Sequence, residues 1–312
     1  MTSILSAKHF HDERAAYAFV EARVWTEGRV CPHCGTVGNS SPLKGKSTRL
    51  GVYKCKDCRK PFTVKVGTVF EASNVKLHIW LQAMHLLCSS KKGFSSNQLH
   101  RVLGVSLKTA WFMSHRIRLA MASGDLSPFG VGGGTVEVDE TFIGTDTDRN
   151  NKGMRRASHM NKVMTLVDRA SGRARSIVVD DLRLATVAAV VTENVAREAR
   201  LMTDEAFHYV PVGRQFAEHR SVNHKAEEYV SRADPTVHSN TVEGYFSVFK
   251  RGMKGTYQHC AKRHLHRYMA EFDFRYSERV ALGVDDTERA ARALSGIVGK
   301  RLKYRDSLPA HA

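Results

Sequence analysis

Thr135-Val136-Glu137-Val138-Asp139-Glu140-Thr141-Phe142-Ile143 reads as a β-strand, because β-branched and aromatic residues dominate it and a glycine run, Gly132-Gly133-Gly134, precedes it. Asp139 closes its apolar part. Two more acids stand in comparable settings: Asp204 closes Leu201-Met202-Thr203-Asp204-Glu205, and Glu243 opens an amphipathic helix in His238-Ser239-Asn240-Thr241-Val242-Glu243-Gly244. Three elements can thus bring three carboxylates to one negative pocket. Such a pocket holds two Mg²⁺ ions, the pairing that cuts and joins nucleic acid.

Each acid has a competitor. Strand alternation puts Asp139 on the opposite face from Val138 and Glu140, which leaves Glu140 as the rival ligand. Asp168, Asp180 and Asp181 also follow apolar strands and compete with Asp204. Asn240-Thr241-Val242-Glu243 has the spacing of a capping box, with Asn240 as the cap and Glu243 reaching back to it. The same helix sets Asn240, Glu243, Ser247 and Lys250 on one face beside an apolar face of Val242, Phe246 and Phe249. A polar stripe turned toward two other acids is easier to explain as an active-site wall than as a cap alone.

Working outward, strands are predicted over residues 162–168, 174–180 and 200–203, with a helix over 184–199 whose Val187, Val190, Val191 and Val195 face a sheet. Strand-strand-strand-helix-strand-helix with acids on the first strand, the fourth strand and a later helix is the layout of a ribonuclease H-like α/β core. A basic loop with Arg149, Lys152, Arg155, Arg156 and Lys162 leaves the strand bearing Asp139 and suits phosphate. From Lys250 to Arg279, Lys250, Arg251, Lys254, Lys262, Arg263, Arg267, Arg275 and Arg279 outnumber the acids and suggest a DNA-facing surface.

Upstream of the glycine run, Ser95 or Ser96 caps a short helix, Gly104 supplies a positive φ, and Ser106 caps a second helix reaching about Met121. This is helix-turn-helix punctuation. Leu107, Ala110, Met113 and Ile117 should face inward, leaving Lys108, Thr109, Phe112, His115 and Arg116 to face DNA. Ser73-Asn74 is expected to cap an apolar helix up to about Ser89, too short to span a bilayer. Before it stand Cys31-Pro32-His33-Cys34 and Cys55-Lys56-Asp57-Cys58, two knuckles whose thiolates complete a tetrahedral zinc site in a ribbon of short strands. A helix opened by Asp12 precedes the ribbon. Cys88 and Cys260 are assigned no role.

The chain has 312 residues, with 48 Lys+Arg against 31 Asp+Glu for a net charge of +17, which favours a polyanionic partner. No long apolar span and no leader pattern is seen, so a reducing, cytoplasmic location is expected.

Taken together these stretches resemble a DDE-type insertion-sequence transposase with an N-terminal zinc ribbon. The resemblance is carried by Cys31-Pro32-His33-Cys34-Gly35, Lys108-Thr109-Ala110-Trp111-Phe112-Met113, His115-Arg116-Ile117-Arg118, Val138 through Gly144, Val222-Asn223-His224, His238 through Gly244, Lys250-Arg251-Gly252, and His264-Leu265-His266-Arg267-Tyr268 through Tyr276. Relatives usually have a tryptophan soon after the second Asp, where this chain has Glu205-Ala206-Phe207-His208-Tyr209. The resemblance implies a multidomain protein: N-terminal helix 1–27, zinc ribbon 28–70, helix-turn-helix 71–125, linker 126–135, ribonuclease H-like core 136–280, and C-terminal helix and tail 281–312.

It also implies the chemistry. Asp139, Asp204 and Glu243 hold two Mg²⁺, with Mn²⁺ able to substitute, and Asn240 is a reserve ligand; Cys31, Cys34, Cys55 and Cys58 hold one Zn²⁺. Lys108, Thr109, His115, Arg116, Lys250 and Arg251 are the DNA-binding candidates. The expected partners are the element's terminal inverted repeats, target DNA and a second copy of the chain. The expected activity is strand cleavage and transfer. The competing reading is a non-catalytic DNA-binding regulator derived from such an enzyme.

Overall fold

A computed structural model describes residues 3–146, 159–224 and 228–304. The basic residues Arg149, Lys152, Arg155 and Arg156 lie outside them. The chain forms two compact units, one of Met1–Ser90, Phe94–Ala122 and Val284–Ala312, the other of Lys91–Gly93 and Ser123–Gly283.

In the first unit Asp12 caps α1 (Glu13–Val24) by accepting from the Ala15 N–H. Strands β1 (Ser40–Pro42), β2 (Tyr53–Cys55) and β3 (Pro61–Phe62) then make a small antiparallel sheet in that order. Helix α2 (Leu77–Ser89) is apolar and mostly buried. Its expected cap does not form: the Glu13 carboxylate, from α1, accepts from the Leu77 and His78 N–H groups at 2.8 and 3.1 Å. Ser73 instead receives the Trp80 indole N–H. Helices α3 (Ser96–Leu103) and α4 (Leu107–Met121) follow the sequence reading closely, with a Ser95–Gln98 capping box, Gly104 at φ 64° and Ser106 accepting from the Thr109 N–H.

The outward face assigned to α4 is corrected. His115 is 0% and Arg116 4% exposed. The Arg116 guanidinium donates to the carbonyls of Leu302 and Glu71, and the His115 ring lies edge-on to Trp111. Several neighbours surround α4, so one apolar stripe does not describe its buried face, and Leu107, assigned inward, is exposed. Lys108 is exposed beside the Tyr304 ring, and the half-buried Thr109 hydroxyl is hydrogen-bonded to Ser106.

The second unit is built on β4 (Thr135–Ile143), β5 (Asn161–Asp168), β6 (Ala174–Val179), α5 (Leu184–Asn194), β7 (Arg200–Thr203), α6 (Tyr209–Gly213), β8 (Glu218–Ser221), α7 (Asn240–Gly252), a π-turn at Met253–Tyr257 and α8 (Lys262–Ser277). Its five strands run in the order β6-β5-β4-β7-β8, antiparallel from β6 to β4 and parallel from β4 to β8. Helix α5 ends earlier than expected because Val195 turns extended and bridges Phe129. Val136, Val138 and Leu201 pack with Val187 and Val191 in one core cluster, while Ile143, Val163 and Val167 pack with Val242, Phe249 and Leu265 in another. The last helix, α9 (Asp286–Ser295), belongs to the first unit. No helix among the described residues is long and apolar enough to cross a membrane.

Gly252 ends α7 where a Cβ would stand 2.5 Å from the Lys92 carbonyl oxygen and 2.5 Å from the Phe272 ring. Gly252→Ala should therefore destabilise the second unit by about 1–3 kcal/mol through overpacking, read as a lower urea midpoint.

Candidate functional site

The cysteine site assembles as its spacing predicts. The four Sγ atoms of Cys31, Cys34, Cys55 and Cys58 all lie within 4.8 Å of one another, with Cys31–Cys58 and Cys34–Cys55 at 3.7 Å. A zinc tetrahedron with bonds of about 2.3 Å has edges of about 3.8 Å, so the sulfurs stand at zinc spacing and their soft donor set suits that metal. Main-chain bonds shape the knuckles: Gly35 N–H to Cys31 O, and Cys55 N–H to Lys60 O. His33 lies against the Pro61 carbonyl. Trp25, Tyr53 and Phe62 pack around the thiols.

The carboxylate site is built from β4, β7 and α7. The parallel β4–β7 ladder pairs Thr135 with Arg200, Val136 with Leu201 and Glu137 with Met202. The ladder ends there: Asp139 stands two residues further along β4, and Asp204 immediately follows the end of β7. Neighbouring strands lie about 4.8 Å apart, so like charges meet at this end of the pair. The half-buried Asp139 carboxyl is pushed up to about 7, first by burial, then by the charge of Glu140, with Asp204 and Glu243 adding to it. All three acids therefore share one electrostatic environment. They are not as tightly gathered as the thiols, which are the one such cluster within 4.8 Å among the described residues.

Glu140 belongs to the opposite face, as alternation requires. It accepts from the Tyr209 hydroxyl at 2.6 Å and has the His208 imidazole at 3.4 Å. Burial raises its carboxyl most, with Asp204 adding to the rise, while Tyr209 and His208 oppose it. His208 and Tyr209, soon after Asp204 in the sequence, thus supply two polar partners to Glu140. Asp204 accepts from the Ala206 N–H at 3.0 Å. Its competitors have local tasks: Asp168 closes a turn on the Ala170 N–H, Asp180 pairs with Lys262 at 2.7 Å, and Asp181 accepts from Arg183 and Thr186.

The capping box that competed with a site role for Glu243 is absent. Ser239 is the N-cap, Asn240 is exposed, and Glu243 Oε1 accepts from Ser239 Oγ at 2.9 Å with His224 Nε2 at 3.3 Å. The acid that serves the start of α7 is Glu137, which the sequence reading passed over. It is 0% exposed. It accepts from the Val242 N–H at 2.8 Å, the Thr241 hydroxyl at 2.6 Å and Arg169 Nε at 2.6 Å, with His238 Nδ1 at 3.3 Å. Arg169 also donates to the carbonyls of Thr236 and His238. A signal existed, since Glu137 lies two residues before Asp139 and so on its face. His224 carries no comparable signal in the residues themselves.

The basic stretch after Lys250 is corrected in part. Arg275 pairs with Glu271 at 3.0 Å where both are buried, Lys262 bridges Asp146 and Asp180, and Arg279 donates to the Gly172 carbonyl. Lys250 is half-buried and Arg251 exposed.

The model of the transposase zinc-ribbon domain matches residues 11–61, and that of the ISXO2-like transposase domain matches residues 132–277. This chain belongs to the zinc-ribbon insertion-sequence transposases. The transposase is 27% identical over 287 residues to an uncharacterized protein in transposable element ISH50 of Halobacterium salinarum, covering 87% of this chain and 93% of that relative. The first matched segment contains the four cysteines, and the second contains Asp139, Asp204 and Glu243; α3 and α4 lie in neither.

Two outcomes follow from these sites. Cys31→Ser should remove most of the zinc measured per purified chain and lower the thermal midpoint of the ribbon. Glu137→Ala, which strands Arg169 and the first turn of α7, should cost about 3–5 kcal/mol by denaturant titration.

Proposed function

We propose that this transposase cleaves DNA at the ends of its own insertion sequence and joins the freed 3′ end to target DNA, using Mg²⁺ at Asp139, Asp204 and Glu243. The observation that carries this reading is the parallel pairing of β4 with β7 just ahead of Asp139 and Asp204, with the helix of Glu243 fastened to the β4 face that bears Asp139. The strand order supports a ribonuclease H-like core. Three hard carboxylate donors in one repulsive environment fit Mg²⁺, with Mn²⁺ able to substitute. When bound, the paired cations lower the pKa of an attacking hydroxyl and neutralise the charge that builds on the phosphate and the leaving oxygen.

The protein's own groups set the geometry for that chemistry. Asp139 forms the centre, and Asp204 and Glu243 flank it. Glu137 fixes where α7 starts, and Ser239 and His224 orient the Glu243 carboxylate. Tyr209 keeps Glu140 on the other face. The attacking oxygen comes from water in cleavage and from the DNA 3′-hydroxyl in transfer, so one site serves both steps.

Lys108, exposed at the start of α4 in a helix-turn-helix arrangement, and Arg251 with Lys250 along α7 are the groups we assign to DNA contact. Thr109 supports that end of α4 through its bond to Ser106. Two element ends must be paired, which calls for at least a dimer. Asp139→Asn should retain binding to DNA carrying the element's inverted repeats while Mg²⁺-dependent nicking falls at least about a hundredfold. Binding without nicking by the unaltered protein would point to the non-catalytic regulator instead.

A further inference from the structure

We propose that a cavity beside the last turn of α7 receives a single unpaired nucleotide of the bound DNA, an inference that rests on the DNA-joining function proposed above. The cavity lies among the end of β4, the start of β5, the π-turn and α8, and measures about 430 Å³. That volume falls in the range of small-ligand sites, about 300–1,000 Å³. Ile143, Met253 and Leu265 give it apolar walls. Asn161 also lines it, at 3% exposure, and its Oδ1 has no hydrogen-bond partner among the described residues, while its Nδ2 lies 3.4 Å from the Thr145 carbonyl. Lys250 and Lys254 complete the lining, and neither has a carboxylate partner among the described residues.

These three features select one ligand chemistry. A buried amide oxygen without a donor calls for an N–H from whatever enters. A nucleobase amino group supplies it, the ring packs against the Ile143, Met253 and Leu265 side chains, and the flanking phosphates meet the two lysines. Free phosphate would use the lysines alone, and a hydrocarbon would use only the walls. In a duplex each base is stacked between its neighbours and shows only its edge, so a base whose ring enters the cavity must be unpaired. Lys250 stands two turns beyond Glu243 on α7, about 10 Å along the axis, or roughly three nucleotide rises. The cavity would therefore hold a nucleotide within a few positions of the phosphodiester at the acids and fix the register of the strand being cut.

The test uses the full chain and a duplex with one bulged 5-iododeoxycytidine, compared with the same base paired. After irradiation, crosslinked peptides are mapped by mass spectrometry, and duplex affinity is followed by fluorescence anisotropy. The bulged base should crosslink to residues 142–145 or 253–265 at least tenfold more than the paired one. Asn161→Leu with an unchanged melting curve should abolish that preference; should this variant unfold, Lys254→Ala, at an exposed position, should weaken it several-fold. Equal crosslinking of both bases, crosslinks mapped elsewhere, or a folded Asn161→Leu or Lys254→Ala protein that behaves as wild type would overturn the cavity assignment while leaving the DNA-joining reading intact. Failure to bind any duplex would overturn both.

Discussion

A buried carboxylate fastened to the start of a helix is the constraint on which the second unit depends. Glu137 has no solvent exposure, and a bare charge there would be very costly, so its bonds to Arg169, Thr241 and Val242 are obligatory. The same bonds satisfy donors that the first turn of α7 would otherwise leave open, and they set negative charge against the positive end of the helix dipole. Glu137 shares a strand face with Asp139, and the helix it holds carries Glu243. The separation of those two acids is thus a property of a short hydrogen-bonded unit.

Like charges meet on this scaffold by design of the ladder. Parallel pairing of β4 with β7 brings the Asp139 and Asp204 ends of the two strands side by side, and burial first, then the charge of Glu140, with Asp204 and Glu243 adding to it, pushes the Asp139 carboxyl up to about 7. The antiparallel side of β4 contributes differently, with Asp139 facing Thr165 in a neutral register. The sheet therefore concentrates negative charge on one flank of a single strand. The net positive charge of the chain is spread less simply, because Arg116, Arg169 and Arg275 are spent on internal carbonyls and carboxylates.

What was legible in the sequence obeyed local rules. The cysteine knuckles, the strand around Asp139 and the ends of α3 and α4 each announce themselves within a few residues, through thiol spacing, β-branched content, capping serines and a left-handed glycine. The cap predicted for α2, and the capping box considered for α7, did not form for the opposite reason. Glu13 reaches α2 across 64 residues and Glu137 reaches α7 across 105, so nearby candidates such as Asn74 and Asn240 lost to distant carboxylates. His115 and Arg116 were misplaced because a helix enclosed by several neighbours shows no single polar stripe. Glu137 was readable only through its shared strand face with Asp139, whereas the hydrogen bonds of Ser239 and His224 to Glu243 had no local signal.

The direct fastening of α7 to β4 has an evolutionary corollary. Because α7 is docked by side-chain bonds to the strand, the chain connecting β8 to it has positional duty only near its two ends, where His224 meets Glu243 and where Thr236 and His238 meet Arg169. Closing a longer excursion there would add little entropic penalty, since that penalty grows only slowly with length. Insertions of whole modules between His224 and Thr236 are accordingly the lengthening this architecture tolerates best, and descendants can diverge there while the geometry of the acids stays constant.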